Sequence, residues 1–347
     1  MKNLLTDISG VRVGHADDAR LASGVTAVVF DQPAVAAIDI RGGGPGTRED
    51  AVLDLAHTVE RIDAIALAGG SAFGLEAGGG VQAWLAQQGR GLVVRDAVIP
   101  IVPGAIVFDL LNGGDKSWGR FPPYRDLGYE AAAAASPDFA TGSVGAGFGA
   151  TTANLKGGLG SASSVTPGGI KVGALAVVNA VGSVTVGDGP WFWAAPFEVD
   201  GEFGGLGLPP SFSPDMLTLR MKGGAAAAQG ENTTIAVVVT DAALTKPQAK
   251  RLAMIAQTGM ARAIYPVHAP LDGDVVSSPP RPAKGRSIPS WASLNSACLQ
   301  PIHWHARSRA AFSAQPRCPS RARCRHGRIV SVERFQAYRS IRTVRLA

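Results

Sequence analysis

Two polymers of different character meet in this chain near residue 276, and only the first is composed like a folded core. All of the 44 glycines lie before that point except Gly285 and Gly327. Of the 33 Lys and Arg and 27 Asp and Glu in the whole sequence, residues 277–347 hold 14 and one (Glu333), a net charge of +13. The preceding stretch therefore carries 19 bases and 26 acids, a net charge of −7. All three cysteines, Cys298, Cys318 and Cys324, fall in the basic part. What remains is an acidic, glycine-rich, cysteine-free body, the composition of a cytoplasmic enzyme without a disulfide framework. The expected organisation is a single catalytic domain over 1–276 followed by an atypical basic tail over 277–347.

The tail is scattered with Arg, Pro and Ser and keeps neither a helical nor a strand period. It reads as disordered, or as the product of a shifted reading frame, since GC-rich DNA read out of frame yields Arg, Pro, Ala, Ser and stray Cys. Basic residues interleaved with Trp291, Trp304 and Phe312 resemble a nucleic-acid patch, but no binding module accompanies them. Cys318 and Cys324 lack the paired spacing of a zinc site. No nucleic-acid partner and no metal are therefore expected. The start, MKNLLTDISGVRVGH, has no apolar core of signal-peptide length. No apolar run reaches the roughly eighteen residues of a membrane span.

Within the body, β-branched runs predict strands over 11–13, 24–30, 34–40, 64–68, 92–94, 172–178 and 234–239. Weaker strand signals cover 144–152, 161–164 and 184–186, and residues 105–110 fit either strand or helix. Apolar residues at helical spacing predict helices over 51–60, 75–88, 127–136 and 245–262. The last of these has Thr245 as cap and Pro247 in its first turn. Residues 187–230 form one long loop. The strands are too closely spaced for a series of βαβ units, so the pattern reads as layered α/β with a mixed sheet.

The glycine loops fail every nucleotide test. Residues 145–149, GAGFG, sit among strand residues rather than opening a helix. Residues 112–117, NGGDKS, place Asp where a phosphate loop needs Gly before its Lys. In GGSAFG, Phe73 replaces the last Gly of a serine nucleophile elbow. The body's histidines, His15, His57 and His268, show no catalytic or metal-ligand spacing. The stretch GENTTIAVVV, residues 230–239, is the informative one. On its residues alone it is a loop running into a buried strand with Thr at its head.

Motifs in order along the chain add what composition does not. They are TDISGVRVGHADD, RGGGPGTRE, ALAGGSAFGLEAGGGVQAWL, IPIVPGAIVFDLLNGG, VGAGFGATTANLKGG, KVGALAVVNAVGSV, ENTTIAVVVTDA and HAPLDGD. Over residues 5–276 these resemble the DmpA-like self-processing aminopeptidases. That family takes in β-aminopeptidases, L-aminopeptidase/D-Ala-esterase/amidases and nylon-oligomer (6-aminohexanoate) endohydrolases. The resemblance implies a four-layer α-β-β-α sandwich similar to N-terminal nucleophile hydrolases. It also implies a precursor that cuts itself before a Ser or Thr, and homo-oligomers of the resulting αβ units.

Carried onto this sequence, the cut falls between Asn232 and Thr233, giving an α chain of 1–232 and a β chain that begins at 233. Thr233 is then the nucleophile. Its freed α-amine, with an ordinary pKa of roughly 7.7–8.0, is the base, and no His is needed. Lys156 matches the family lysine, Asn179 an oxyanion donor. Asp272 and Asp274 match two acids that would orient the amine and pair with Lys156. No cofactor is implied, and the substrate is a small peptide or amide. An alternative is an acyltransferase like ornithine acetyltransferase, which also cuts itself before a Thr. Another is an inactive product, because the family continues beyond Val276 into a strand and a packed helix where this chain turns basic. Phe108 stands where some nylon-hydrolase relatives carry Tyr.

Overall fold

The computed structural model describes residues 1–223, 232–270 and 272–278. In chain order the first strands are β1 (Val11–Asp18), β2 (Ser23–Val35), β3 (Ala37–Ile40), β4 (Thr47–Arg48) and β5 (Arg61–Ala68). Helix α1 (Ala77–Gln87), the hairpin β6 (Leu92–Val94) and β7 (Ala97–Ile99), β8 (Gly104–Ile106) and α2 (Tyr124–Ala133) follow. Then come β9 (Gly158–Val165), β10 (Lys171–Asn179), β11 (Thr233–Thr240), α3 (Lys246–Ala263) and β12 (Val275–Ser278). Two five-stranded sheets result, ordered β1-β2-β5-β8-β4 and β3-β12-β11-β10-β9. The tail expected over 277–347 lies outside the described residues from 279 on, while Ser277 and Ser278 belong to β12.

Side chains alternate along each strand and so divide the apolar residues among three layers of core. On β5, Ile65 and Leu67 point between the sheets, where they join Leu175 and Val177 of β10 and Ile235, Val237 and Val239 of β11. Ala64, Ala66 and Ala68 point the other way, onto Val81 and Leu85 of α1 and Tyr124 and Leu127 of α2. On the far side, Ala236 and Val238 of β11 meet Leu252, Ala256 and Met260 of α3. The layers therefore run helix, sheet, sheet, helix, the sandwich that the motifs imply. Strand β11 is covered on both faces, which is why its sequence is an unbroken apolar run rather than an alternating one. The start of α3 follows expectation, with Thr245 and Gln248 closing a capping box.

Three expected elements differ. Residues 51–60 form only a short 3₁₀ turn, Asp50–Leu53. The Lys246 ammonium takes the carbonyls of Val52, His57 and Val59 at 2.9, 3.2 and 3.1 Å, so these groups serve α3 rather than a helix of their own. Residues 144–152 form a 3₁₀ turn at Gly145–Gly147, not a strand. A Cβ on Gly147 would stand 2.4 Å from the Leu159 nitrogen, so the glycines there permit a close backbone crossing. Residues 184–186 make only the isolated bridge Thr185↔Phe192. Residues 24–30 and 34–40 also divide differently: β2 runs through a bulge between Val29 and Ala34 as one long strand, and β3 crosses to the other sheet.

Candidate active site

The direction of three strands brings the predicted residues together. β10 and β11 are antiparallel, with Asn179 at the end of one paired to Thr233 at the start of the other. β12 runs parallel to β11, Ile235 opposite Val275. The residues just before β12 therefore arrive at the same sheet end, and those residues are Asp272, Gly273 and Asp274. Thr233, Asn179, Asp272 and Asp274 are all buried there.

The Thr233 hydroxyl donates to the carbonyl oxygen of Asn232, the residue before it. Asn232 is itself fully buried, and among the described residues its side-chain amide has no hydrogen-bond partner. Asp274 Oδ1 accepts from the Thr234 backbone N–H at 2.7 Å. Gly273 lies against Thr233: a Cβ added to it would stand 2.8 Å from Thr233 Oγ1 and 2.7 Å from the Gly44 carbonyl. The RGGG loop supports this turn. The Gly44 N–H binds the Asp272 carbonyl at 2.8 Å, and the Arg41 N–H binds that of Asp274 at 3.0 Å.

Asn179 is held from three sides. Its Oδ1 accepts from the Thr151 N–H at 3.0 Å and from Lys222 Nζ at 2.9 Å, and its Nδ2 donates to the Phe108 carbonyl at 2.9 Å. Thr151 in turn bridges to Lys156. Lys156 donates to the carbonyls of Phe148 and Ala150 at 2.5 and 3.1 Å. Burial pushes its pKa down to about 8, with the nearby Asp109 charge opposing the fall. Burial also pushes Asp272 up to about 8, and the adjacent Asp274 raises it further; the backbone N–H groups of Val181 and Gly273 pull the other way. The described residues contain no cluster of three metal-binding side chains and no helix long and apolar enough to cross a membrane.

The sequence profile of Peptidase family S58 matches residues 3–300. The chain belongs to peptidase family S58. It is a hydrolase of the N-terminal nucleophile aminopeptidase class, in agreement with its motifs and its sandwich. An uncharacterized aminopeptidase of Mycobacterium tuberculosis strain H37Rv is 46% identical over 282 residues, covering 79% of this chain and 80% of that one. The 6-aminohexanoate-oligomer endohydrolase of Kocuria sp. strain KY2 is 28% identical over 284 residues, covering 79% and 74%. The L-aminopeptidase D-Ala-esterase/amidase of Ochrobactrum anthropi, described as a new variant among the Ntn hydrolase fold, superposes with a TM-score of 0.60. Its sequence identity is 19%, over 89% of this chain and 86% of that one.

Within this S58 site one expected pairing is not formed. No ion pair joins Lys156 to Asp272 or Asp274 among the described residues. The acid acting on Lys156 is Asp109, which the sequence reading passed over. Asp109 is buried, accepts from Ser23 Oγ at 2.6 Å and from the Gly70 N–H at 2.7 Å, and Tyr124 donates to Ser23 at 3.1 Å. Its own pKa is raised, chiefly by burial; Ser23, Gly70, Lys116 and Lys222 oppose this. Its one signal in the sequence is an acid directly after the apolar run of IPIVPGAIVF.

Proposed function

We propose that this S58 chain cuts itself between Asn232 and Thr233 and then hydrolyses small amide substrates with Thr233 as an N-terminal nucleophile. The observation that carries the reading is the Thr233 hydroxyl resting on the Asn232 carbonyl at the head of a doubly covered strand. In the precursor the hydroxyl oxygen adds to the Asn232 carbonyl carbon. The bond from that carbon to the Thr233 nitrogen breaks, and the nitrogen takes up the hydroxyl's proton. The acyl group now sits on oxygen as an ester. Water hydrolyses this ester, leaving a carboxylate on Asn232 and a free amine on Thr233.

In turnover that amine takes the proton of its own hydroxyl during attack on the substrate carbonyl, and gives it to the departing amine. The acyl-enzyme ester is then hydrolysed as the first ester was. Asn179 and Lys156 assist on the side of the carbonyl oxygen, Asp272 and Asp274 on the side of the amine. Short peptides, amino-acid amides and ω-amino-acid oligomers are the substrates proposed, in line with the activities named for the relatives. The processed αβ unit would work in the cytoplasm as a homo-oligomer, whose size light scattering checks.

Mass spectrometry of the purified protein beside Thr233→Ala tests the reading. Wild type is expected as two fragments, one ending at Asn232 and one starting at Thr233, and the variant as a single chain. Cleavage at that bond in both would overturn it. Hydrolysis of an aminoacyl p-nitroanilide, without acetyl transfer from N-acetylornithine to glutamate, separates the hydrolase from an acetyltransferase.

A further inference from the structure

We propose that His268 is a positioning residue that fixes Asp274 and, through it, the head of the strand bearing the nucleophile. This rests on Thr233 being that nucleophile. Asp274 takes three donors on its side chain. Oδ1 accepts from the Thr234 N–H at 2.7 Å, and Oδ2 accepts from both the backbone N–H and the ring Nδ1 of His268, at 3.1 and 2.8 Å. His268 thus supplies two donors to one carboxylate oxygen, while the strand that begins at Thr233 supplies a donor to the other.

The backbone shows the same specialisation. His268 adopts φ +54°, a left-handed conformation that a residue with a Cβ rarely takes. That turn lets one residue aim both its N–H and its ring at a single oxygen. Asp272, two residues from Asp274, has no hydrogen-bond partner on either side-chain oxygen within normal geometry among the described residues. Two adjacent buried carboxylates cannot both hold a charge cheaply. Burial and the neighbouring Asp274 push Asp272 up to about 8, while the His268 donors and the Thr234 N–H hold the Asp274 carboxyl in one orientation. A carboxyl fixed in this way holds the Thr234 N–H, and so the Thr233 backbone, in one place during attack.

Asn and Asp test this in the full chain. Both have nearly the same size and both tolerate left-handed φ. Asn Nδ2 falls where His Nδ1 lies, whereas Asp offers no donor. His268→Asn should keep kcat for an aminoacyl p-nitroanilide within ~3-fold of wild type. His268→Asp should lose about 100-fold in kcat, the scale of a misplaced reacting group, with KM within ~3-fold and self-cleavage slowed in parallel. Equal kcat for the two variants, or a loss confined to KM, would overturn the proposal. Should His268→Asp not accumulate as folded protein by its melting curve, His268→Gly replaces it with the same two outcomes. Thr233→Ala runs alongside. If it still cleaves and turns over, the nucleophile reading falls and takes this inference with it. If Thr233→Ala is dead while both His268 variants match wild type, only the positioning role falls.

Discussion

Lys156 should make the fold depend on pH in a way that one substitution removes. Its folded pKa is about 8, against 10.5 for an ordinary lysine, because burial disfavours the ammonium. Below pH 8 the side chain is charged in both folded and unfolded chains, and the full burial penalty is present. Above 10.5 it is neutral in both, and the penalty is gone. Between the two, unfolding takes up a proton, so stability rises with pH through this window. At about 1.4 kcal/mol per pH unit, the rise is worth about 3 kcal/mol. Lys156→Met keeps the length of the side chain and lacks the charge. It also loses the hydrogen bonds to the Phe148 and Ala150 carbonyls, but that loss is nearly the same at every pH and cancels in the comparison. The measurement is urea unfolding at about pH 7 and pH 10.5, with and without Lys156→Met, in a Thr233→Ala background that keeps the chain in one piece. Wild-type Lys156 should gain about 3 kcal/mol on Met between the two conditions. A difference that stays constant with pH would show that the ammonium is not buried as described.

Four further outcomes follow from the same geometry. Thr233→Ser keeps the hydroxyl and should still release a fragment starting at residue 233, which mass spectrometry reads. Gly273→Ala places a methyl 2.8 Å from Thr233 Oγ1 and 2.7 Å from the Gly44 carbonyl; self-cleavage on a denaturing gel should slow by at least about 10-fold, since misplacement of reacting atoms is costly. Asp109→Asn removes the charge that holds the Lys156 pKa up, so the lysine limb of the pH–rate profile should move to lower pH. Asp272 has its pKa raised from 3.8 to about 8; unfolding releases a proton in that window, stability falls as pH rises through it, and Asp272→Asn should overtake wild type in urea unfolding by pH 8.

What the sequence shows and what it hides divide along the range of the interactions. β10, β11 and α3 are local patterns: an apolar run for a strand covered on both faces, and a Thr–Gln box for a helix start. These elements are legible within two residues of their ends. The helix expected over 51–60 is not there because the carbonyls it needs are held by Lys246, almost two hundred residues away. The strand expected over 144–152 gives way to a turn because Gly147 must let β9 pass. LDGD has the composition of a hairpin turn, and only the parallel pairing of β12 with β11 brings Asp272, Gly273 and Asp274 to the site. His268 has no motif around it: its contact with Asp274 depends on a left-handed backbone that no residue pattern announces.

The site then has two electrostatic halves that meet at Thr233. On the β10 side, one buried acid, Asp109, acts on both Lys156 and Lys222, and Lys222 reaches Asn179 at 2.9 Å. On the β12 side, Asp274 takes three donors among the described residues, beside the buried Asp272. Amide hydrolysis by an N-terminal residue asks for this division, since negative charge grows on the carbonyl oxygen while positive charge grows on the nucleophile's own amine. In the proposed reaction, cations beside the first and carboxylates beside the second would lower the same barrier from opposite ends. An ion pair between Lys156 and Asp272 or Asp274 would have cancelled both fields at once. With Asp109 as the charge acting on Lys156, and no ion pair from Lys156 to Asp272 or Asp274 among the described residues, the two fields are not neutralised against each other.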